Sequence, residues 1–387
     1  MPALYLFSAL LHAYVGWRLL PALPGSAAWA WTLGAVLVTS ALLIPRSLLA
    51  RRRRAGHGTA FSAWAGLLAM GLFSSLFVFT LLRDGVLLLA SLVPSAQAAG
   101  ASASGWRPTL QHGSAAAVPV LASLVTLLGF LNARRTAAVV HVQVPMRGLP
   151  AALHGFTVAQ ISDIHVGPTI GHDYLWRIVE KVNRLNPDLV AVTGDLVDGS
   201  VSQLMDHVAP LAGLRSRHGT FFVTGNHEYY SGAPAWIDAL RRLGLTVLMN
   251  EHVVLRHGEP GRQADLVLAG VTDFSAHHFE ETHRSDPHAA IAGAPPGAGA
   301  RVLLAHQPRS APAAAAAGFD LQLSGHTHGG QFWPWNLFVR LQQPYTAGLH
   351  RLSQLWVYTS RGTGYWGPPK RFGAPSEITL LTLVPAP

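Results

Sequence analysis

The chain has 387 residues, of which half are hydrophobic and 12% are charged, whereas about 25% of the residues in a typical soluble domain are charged. A deficit of this size indicates membrane-spanning segments. The absence of cysteine excludes disulfides and thiolate metal sites. The net charge of +9 lies in residues 1–135, which hold ten arginines and one acidic residue. Since basic residues beside apolar segments are typical of membrane topology, we expect no nucleic-acid partner.

Four apolar segments in this first part of the chain each approach the roughly 20 residues that a helix needs to cross a bilayer. They run over residues 4–23, 27–44, 61–82 and 115–131. We predict that the third segment ends before Arg83–Asp84, with residues 86–93 at the interface or in the bundle. Residues 95–114, rich in Ala, Ser and Gly, are predicted to form a loop. The sequence therefore predicts a transmembrane region of about four helices over residues 1–135.

The distribution of arginine predicts how these helices are oriented. Arg46 and residues 51–54 lie between the second and third segments, and Arg134 and Arg135 follow the fourth. Arginine clusters of this kind remain in the cytoplasm. We therefore expect a multi-pass protein of the inner membrane, with both termini and the C-terminal domain in the cytoplasm.

After residue 136, short β-branched segments alternate with amphipathic ones. The predicted strands cover residues 156–161, 189–193, 220–224, 266–270, 302–305, 321–323, 355–359 and 378–384, and the predicted helices cover residues 174–185 and 235–243. This alternation predicts α/β layers, with central β-sheets flanked by helices. We assign residues 136–387 to one catalytic domain, which follows the helical transmembrane bundle.

Residue types that bind metals follow five of the predicted strands. The five blocks are Asp163-Ile164-His165, Gly194-Asp195-Leu196-Val197-Asp198, Gly225-Asn226-His227-Glu228, His306 and Gly325-His326-Thr327-His328. Carboxylate oxygens and imidazole nitrogens bind divalent first-row metals, and the carboxyl ends of neighbouring strands meet at one edge of a sheet. The glycines at positions 194, 225 and 325 are expected to let the backbone turn sharply there. The blocks together predict a metal site.

The five blocks, in this order, resemble those of the calcineurin-like metallophosphoesterase superfamily, and the resemblance covers about residues 155–385. It implies two divalent metal ions, with Asp195 bridging them. The first ion would be held by Asp163, His165, Asp195 and His328, and the second by Asp195, Asn226, His306 and His326. His227 would be the catalytic histidine, which stabilises the transition state or protonates the leaving oxygen, and a metal-bridging hydroxide would be the nucleophile. The ligand types do not choose among Mn, Fe, Zn and Co.

Several polar residues near the blocks have an alternative role. We expect Asp198 and Glu228 to support the site rather than to bind metal, because metal-bound imidazoles need outer hydrogen-bond acceptors. Arg361 could contact phosphate, since a guanidinium matches phosphate geometry, or it could have no such role. A group of histidines in a polar stretch is expected to form a solvated loop. These are His277, His278, His283 and His288.

The stretch from Ser360 to Glu377 is similar to that of small bacterial members that carry membrane anchors, some of which act on lipid-linked phosphoesters. The expected function is therefore hydrolysis of a phosphoester or pyrophosphate, on a phosphorylated and lipid-linked substrate. Aromatic residues at positions 332–338 and 365–366 would suit such a substrate, or would pack in the core of the domain. Two alternatives are an anchored phosphodiesterase with a soluble substrate and a metal-stabilised, non-catalytic membrane scaffold.

Overall fold

The computed structural model describes residues 2–50, 57–93 and 105–386, and the chain divides into two compact units. The first unit contains the residues up to Leu131 together with Gly367–Lys370, and the second contains the remainder. The predicted arginine cluster at residues 51–54 and the first half of the predicted loop, residues 95–104, lie outside the described residues.

Four long helices follow one another at the start of the chain. They are α1 (Pro2–Leu19), α2 (Ala27–Ala50), α3 (His57–Leu92) and α4 (Trp106–Arg134). All four are long and apolar enough to cross a membrane. Two of the predicted boundaries were wrong, because α3 continues through Arg83–Asp84 and α4 begins at Trp106 rather than near residue 115.

A cluster of paired polar side chains explains why α3 does not end at the charged dipeptide. The Asp84 carboxylate accepts hydrogen bonds from the Tyr14 hydroxyl at 2.6 Å and from Arg18 Nε at 2.8 Å. Arg83 Nε donates to Ser114 Oγ at 3.0 Å. Because a charge in apolar surroundings is costly mainly when it is unpaired, this pairing lets the helix continue across both charges.

The second unit is built on two six-stranded sheets. In chain order the strands are β1 (Ala138–Met146), β2 (Thr157–Ile161), β3 (Leu189–Val192), β4 (Thr220–Phe222), β5 (Thr246–Val247), β6 (Glu251–His257), β7 (Ala264–Gly270), β8 (Ala300–Leu304), β9 (Leu321–Ser324), β10 (Gly348–Leu352), β11 (Leu355–Thr359) and β12 (Glu377–Pro385). The first sheet has the order β1-β12-β2-β3-β4-β5, and the second has the order β10-β11-β9-β8-β7-β6.

Six helices cover the outer faces of these sheets or connect their strands. They are α5 (His172–Asn183), α6 (Val201–Val208), α7 (Asn226–Ser231), α8 (Ala233–Arg242), α9 (Pro287–Ile291) and α10 (Ala311–Ala316). One apolar core lies between the first sheet and α5, α6 and α8. A second core combines side chains of both sheets, and a third packs α9 and α10 on the second sheet. The unit is thus layered as helix, sheet, sheet, helix, as expected for α/β layers.

Every predicted strand of this unit is present within a few residues, but four strands were not predicted. They are β1, β5, β6 and β10. The omission of β1 matters most, because β1 is the first element after α4. It pairs with β12 in parallel from Ala138 to Met146, and the alternation of His141 and Gln143 with valines was a usable strand signal.

Candidate metal centre

The loops after β2, β3, β4, β8 and β9 bring the predicted metal-ligand residues together. The ligand atoms form three groups, and within each group all atoms lie within 4.8 Å of one another. The groups are Asp163, His165 and His328; His165, Asp195 and His227; and Asp195, His306 and His326. Because His165 and Asp195 each belong to two groups, the three groups form one continuous cluster.

Asp195 lies at the centre of this cluster. Its Oδ2 is 3.1 Å from His306 Nε2 and 3.9 Å from His165 Nε2. Its Oδ1 accepts a hydrogen bond from the backbone N–H of His227 at 2.8 Å. The carboxylate is buried, so it faces imidazoles from two different loops without competition from bulk water.

Asn226 provides a test of whether the residues present fit a metal. Its side-chain Oδ1 is buried and has no hydrogen-bond partner among the described residues. A buried acceptor without a partner costs roughly 1–3 kcal/mol, and metal coordination would remove that cost. His306 also presents a ligand atom to the cluster. Its Nδ1 donates to the Thr193 carbonyl at 2.7 Å, which leaves Nε2 facing Asp195. Oxygen and nitrogen donors of this kind suit a divalent first-row metal.

The backbone of most of the candidate ligands is held in the left-handed region. Among the described residues, nine non-glycine residues have positive φ, and five of these are candidate ligands. The five are Asp163, His165, Asp195, His326 and His328, with φ between 51° and 69°. A non-glycine residue in this region costs of order 1–3 kcal/mol and persists only where the surrounding structure enforces it. The strain therefore concentrates at the candidate site.

Two of the three block glycines, Gly225 and Gly325, are needed for a different reason from the one expected. Only Gly194 has positive φ, at 84°. At Gly225 a Cβ atom would lie 2.3 Å from Asp195 Oδ1, and at Gly325 it would lie 2.2 Å from Asp163 Oδ2. The expectation of a sharp turn was thus wrong for these two positions, where the requirement is close approach to a carboxylate.

Two carboxylates support the cluster from behind: Glu228, which is buried, and Asp198, whose side chain is 9% exposed. Asp198 Oδ1 accepts from His227 Nδ1 at 2.5 Å and from His165 Nδ1 at 3.2 Å. Burial opposes ionisation of Asp198, but the charge of His165 and the two hydrogen bonds hold its pKa well below the ordinary value. Glu228 accepts from four backbone N–H groups, which join the two loops. These belong to Asp195, Leu196, Val197 and Gly225.

His227 lies at the edge of the cluster, where its side chain is 15% exposed. Burial disfavours its charged form, but the carboxylates of Asp195 and Asp198 raise the pKa of His227 to about 9 in the metal-free chain. Its ring nitrogen lies within 4.8 Å of ligand atoms of His165 and Asp195, so proximity alone does not separate it from the ligands. Its hydrogen bond to Asp198 and its partial exposure suit a residue that meets substrate.

Sequence reasoning missed Arg371, which is fully buried. Its guanidinium donates to His328 Nδ1 at 3.0 Å and to the carbonyl oxygens of His328 and Arg361 at 2.8 and 2.7 Å. No local pattern distinguishes this arginine, because its partners lie 10 and 43 residues away. Arg361 itself donates from Nε to the buried Glu377 at 2.7 Å, so this part of the guanidinium is not available to phosphate.

The histidines of the polar stretch do not join the metal-ligand groups. His277 and His278 pack their rings together with centroids 4.0 Å apart. His283 Nδ1 lies 3.0 Å from the Tyr229 hydroxyl.

Comparison with known proteins finds the same type of domain. A calcineurin-like phosphoesterase family profile matches residues 156–330. A bovine "transmembrane protein with metallophosphoesterase domain" is 42% identical over 280 residues, which cover 70% of this chain and 63% of the relative. A Helicobacter pylori metallophosphoesterase is 41% identical over 58% of this chain and 59% of its own length. A Campylobacter jejuni metallophosphoesterase is 35% identical over 67% of this chain and 68% of its own length.

These matches bear on the extent of the resemblance. The chain spans about three-fifths of the length of the bovine and H. pylori relatives. Since the relatives include vertebrate and bacterial proteins, the resemblance is not restricted to small bacterial members.

Proposed function

This chain belongs to the calcineurin-like metallophosphoesterases, and we propose that it is a membrane-anchored, two-metal phosphohydrolase whose substrate is a lipid-linked phosphoester or pyrophosphate. The observation that supports this function best is the continuous cluster around Asp195. It combines carboxylate and imidazole donors with the unpartnered Oδ1 of Asn226. Such a donor set would have no purpose in a domain held together by its apolar cores alone.

We assign the ligands as the family resemblance implies. Asp163, His165, Asp195 and His328 would hold one ion, and Asp195, Asn226, His306 and His326 would hold the other. Two divalent ions held by these residues would supply Lewis acidity to the phosphoryl oxygens and would activate water. The identity of the ions, Mn, Fe, Zn or Co, is left to metal analysis, because availability often decides it.

His227 is assigned to the substrate rather than to a metal. Asp198 accepts a hydrogen bond from its Nδ1 at 2.5 Å, which fixes the tautomer and the orientation of the ring. A neighbouring carboxylate also favours the protonated imidazole. His227 can therefore stabilise negative charge on the phosphoryl group or donate a proton to the leaving oxygen.

The lipid-linked substrate is supported by the surface of the second unit. Of the aromatic residues singled out in the sequence, Phe332 and Tyr365 are buried and pack in the domain. The other aromatic residues are exposed, as are two leucines beside them. The exposed side chains are Trp333, Trp335, Phe338, Trp366, Leu337 and Leu341. The ring centroids of Trp335 and Phe338 lie 5.9 Å apart, and clustered exposed apolar side chains mark binding sites more often than isolated ones do.

The membrane location is proposed from the four apolar helices and the transmembrane relative. Only residues 135–137 separate α4 from β1, so the chain connects the membrane region to the catalytic domain without a long linker. We retain the division at residue 135 and the cytoplasmic position of the catalytic domain as proposals. The arginine bias beside the helices supports the latter.

The test uses the full chain in lipid nanodiscs. Bound metal is measured, and hydrolysis is compared on p-nitrophenyl phosphate, p-nitrophenyl methyl phosphate and a lipid pyrophosphate placed in the same bilayer. We expect about two metal ions per chain and the highest kcat/KM on the lipid substrate. Preference for the soluble diester would favour the anchored phosphodiesterase, and bound metal without turnover on any substrate would favour the scaffold.

A further inference from the structure

Two aromatic side chains pack against the proposed catalytic histidine, and a third extends the group. The ring centroids of Tyr230 and Trp366 lie 5.2 and 5.7 Å from that of His227. Phe279 continues the group at 5.4 Å from Tyr230. We refer to Trp366, Tyr230 and Phe279 as the aromatic rim. Their exposed fractions are 47%, 64% and 51%, so large apolar faces meet solvent directly beside the candidate centre.

Trp366 is fixed in this position by the loop that contains His328. The Gln331 side chain binds both backbone groups of Trp366, since Nε2 donates to its carbonyl and Oε1 accepts from its N–H, each at 2.8 Å. Gln331 follows His328 by three residues and has φ 58°, a value that costs of order 1–3 kcal/mol for a non-glycine residue. The strained loop thus couples the position of the indole to the candidate metal ligands, which is how a binding surface is preorganised.

The geometry of the rim favours a hydrocarbon group over a planar base. The rings of Tyr230 and Trp366 are inclined by 74° and 76° to His227, and Phe279 is inclined by 64° to Tyr230. All three contacts are edge-to-face, so these ring faces do not together form one flat platform for a planar base. An alkyl chain requires only apolar area, and half-exposed aromatic rings provide it.

We propose that the aromatic rim determines specificity by receiving an apolar group attached to the scissile phosphate. This inference rests on the proposed function, because it requires the phosphate to lie at the cluster around Asp195. Trp366, Tyr230 and Phe279 are specificity-determining residues in this proposal and take no part in the chemical step. The surface that the ligand would bury against the rim is apolar, so affinity should rise with the length of the ligand's alkyl group.

Equilibrium binding of methylphosphonate and octylphosphonate to the Mn²⁺-loaded full chain tests this proposal independently of turnover. Calorimetry is performed in nanodiscs, and heats from empty nanodiscs are subtracted. A fully buried methylene strengthens binding about fourfold, so the octyl probe should bind at least about tenfold more tightly. In Trp366→Ala the ratio of octylphosphonate affinity to methylphosphonate affinity should fall at least about threefold. Trp366→Phe should retain most of this octyl-to-methyl ratio.

Trp176→Ala is the matched control, because Trp176 lies in α5 and is half-exposed without belonging to the rim. Its octyl-to-methyl ratio should equal that of the wild type. A wild-type ratio near one would overturn the proposal, as would an unchanged ratio in Trp366→Ala. Tighter binding of AMP than of octylphosphonate would overturn it in favour of base recognition. Hydrolysis of p-nitrophenyl methyl phosphate by the wild type is measured separately. A wild type without turnover but with the expected octyl-to-methyl ratio would count against the proposed function alone.

Discussion

Asp198 provides the sharpest test of how the candidate centre is organised. Its single Oδ1 accepts from Nδ1 of both His165 and His227, at 3.2 and 2.5 Å, although neither histidine is near it in sequence. We therefore consider Asp198→Asn, which preserves the shape of the side chain, removes its charge and offers an N–H₂ group where one imidazole needs an acceptor.

The size of the effect follows from these two contacts. Hydrogen bonds to a charged group contribute roughly 1.5–3 kcal/mol each, and the asparagine oxygen can replace one of them with a weaker neutral bond. Loss of an outer carboxylate behind a metal-bound histidine typically lowers metal affinity or activity by about 10–100-fold. We expect kcat/KM to fall by this factor, which corresponds to about 1.4–2.8 kcal/mol.

The assay is hydrolysis of p-nitrophenyl methyl phosphate at saturating Mn²⁺, with bound metal measured on the same samples. Asp173→Asn is the matched control, because Asp173 Oδ1 also lies 3.1 Å from a histidine Nδ1 but its side chain is 90% exposed. Exposed pairs contribute little, so this control should stay within twofold of wild type. If Asp198→Asn is equally active and retains its metal, the outer carboxylate has no part in positioning His165 or His227.

The remaining predictions concern the bridge, the catalytic histidine and the topology. Asp195→Asn should abolish hydrolysis and lower the metal content, and unchanged turnover with two ions per chain would contradict the shared ligand. His227→Ala should lower kcat by about 10²–10⁴-fold, as for a lost general acid or base, with near-normal metal content; a large loss of metal would make His227 a ligand. In chelator-treated protein, the neighbouring carboxylates raise the pKa of His227 from its ordinary value of 6.5 to about 9, so its protonated form stabilises the fold. That contribution should be complete below about pH 6.5 and lost as the pH rises through about 9, so the melting temperature of wild type should fall toward that of His227→Ala over this range. A reporter active only in the periplasm, fused after Pro387, should be silent, and a strong signal would reverse the orientation.

Local patterns were sufficient to predict most of the candidate ligands and most of the strands. Asp163-Ile164-His165 and His326-Thr327-His328 are short blocks, so covalent connection alone keeps their side chains within one loop. Strand alternation or apolar clustering marked β2, β3, β8 and β9 because a buried strand must be apolar along its length. The same reasoning failed for the end of α3, since the partners that neutralise Asp84 lie about 70 residues away on α1.

Only the tertiary structure showed which contacts the predicted ligands and their outer acceptors make with one another. Asp198 joins His165 and His227 across 33 and 29 residues, and Arg371 reaches His328 across 43. The pairing of β1 with β12 joins opposite ends of the catalytic unit. Contacts of this kind depend on how separate segments pack, and no local periodicity encodes them. The sequence by itself therefore determined the donor types and their order along the chain, while packing decided which donors meet and which aromatic side chains remain exposed beside them.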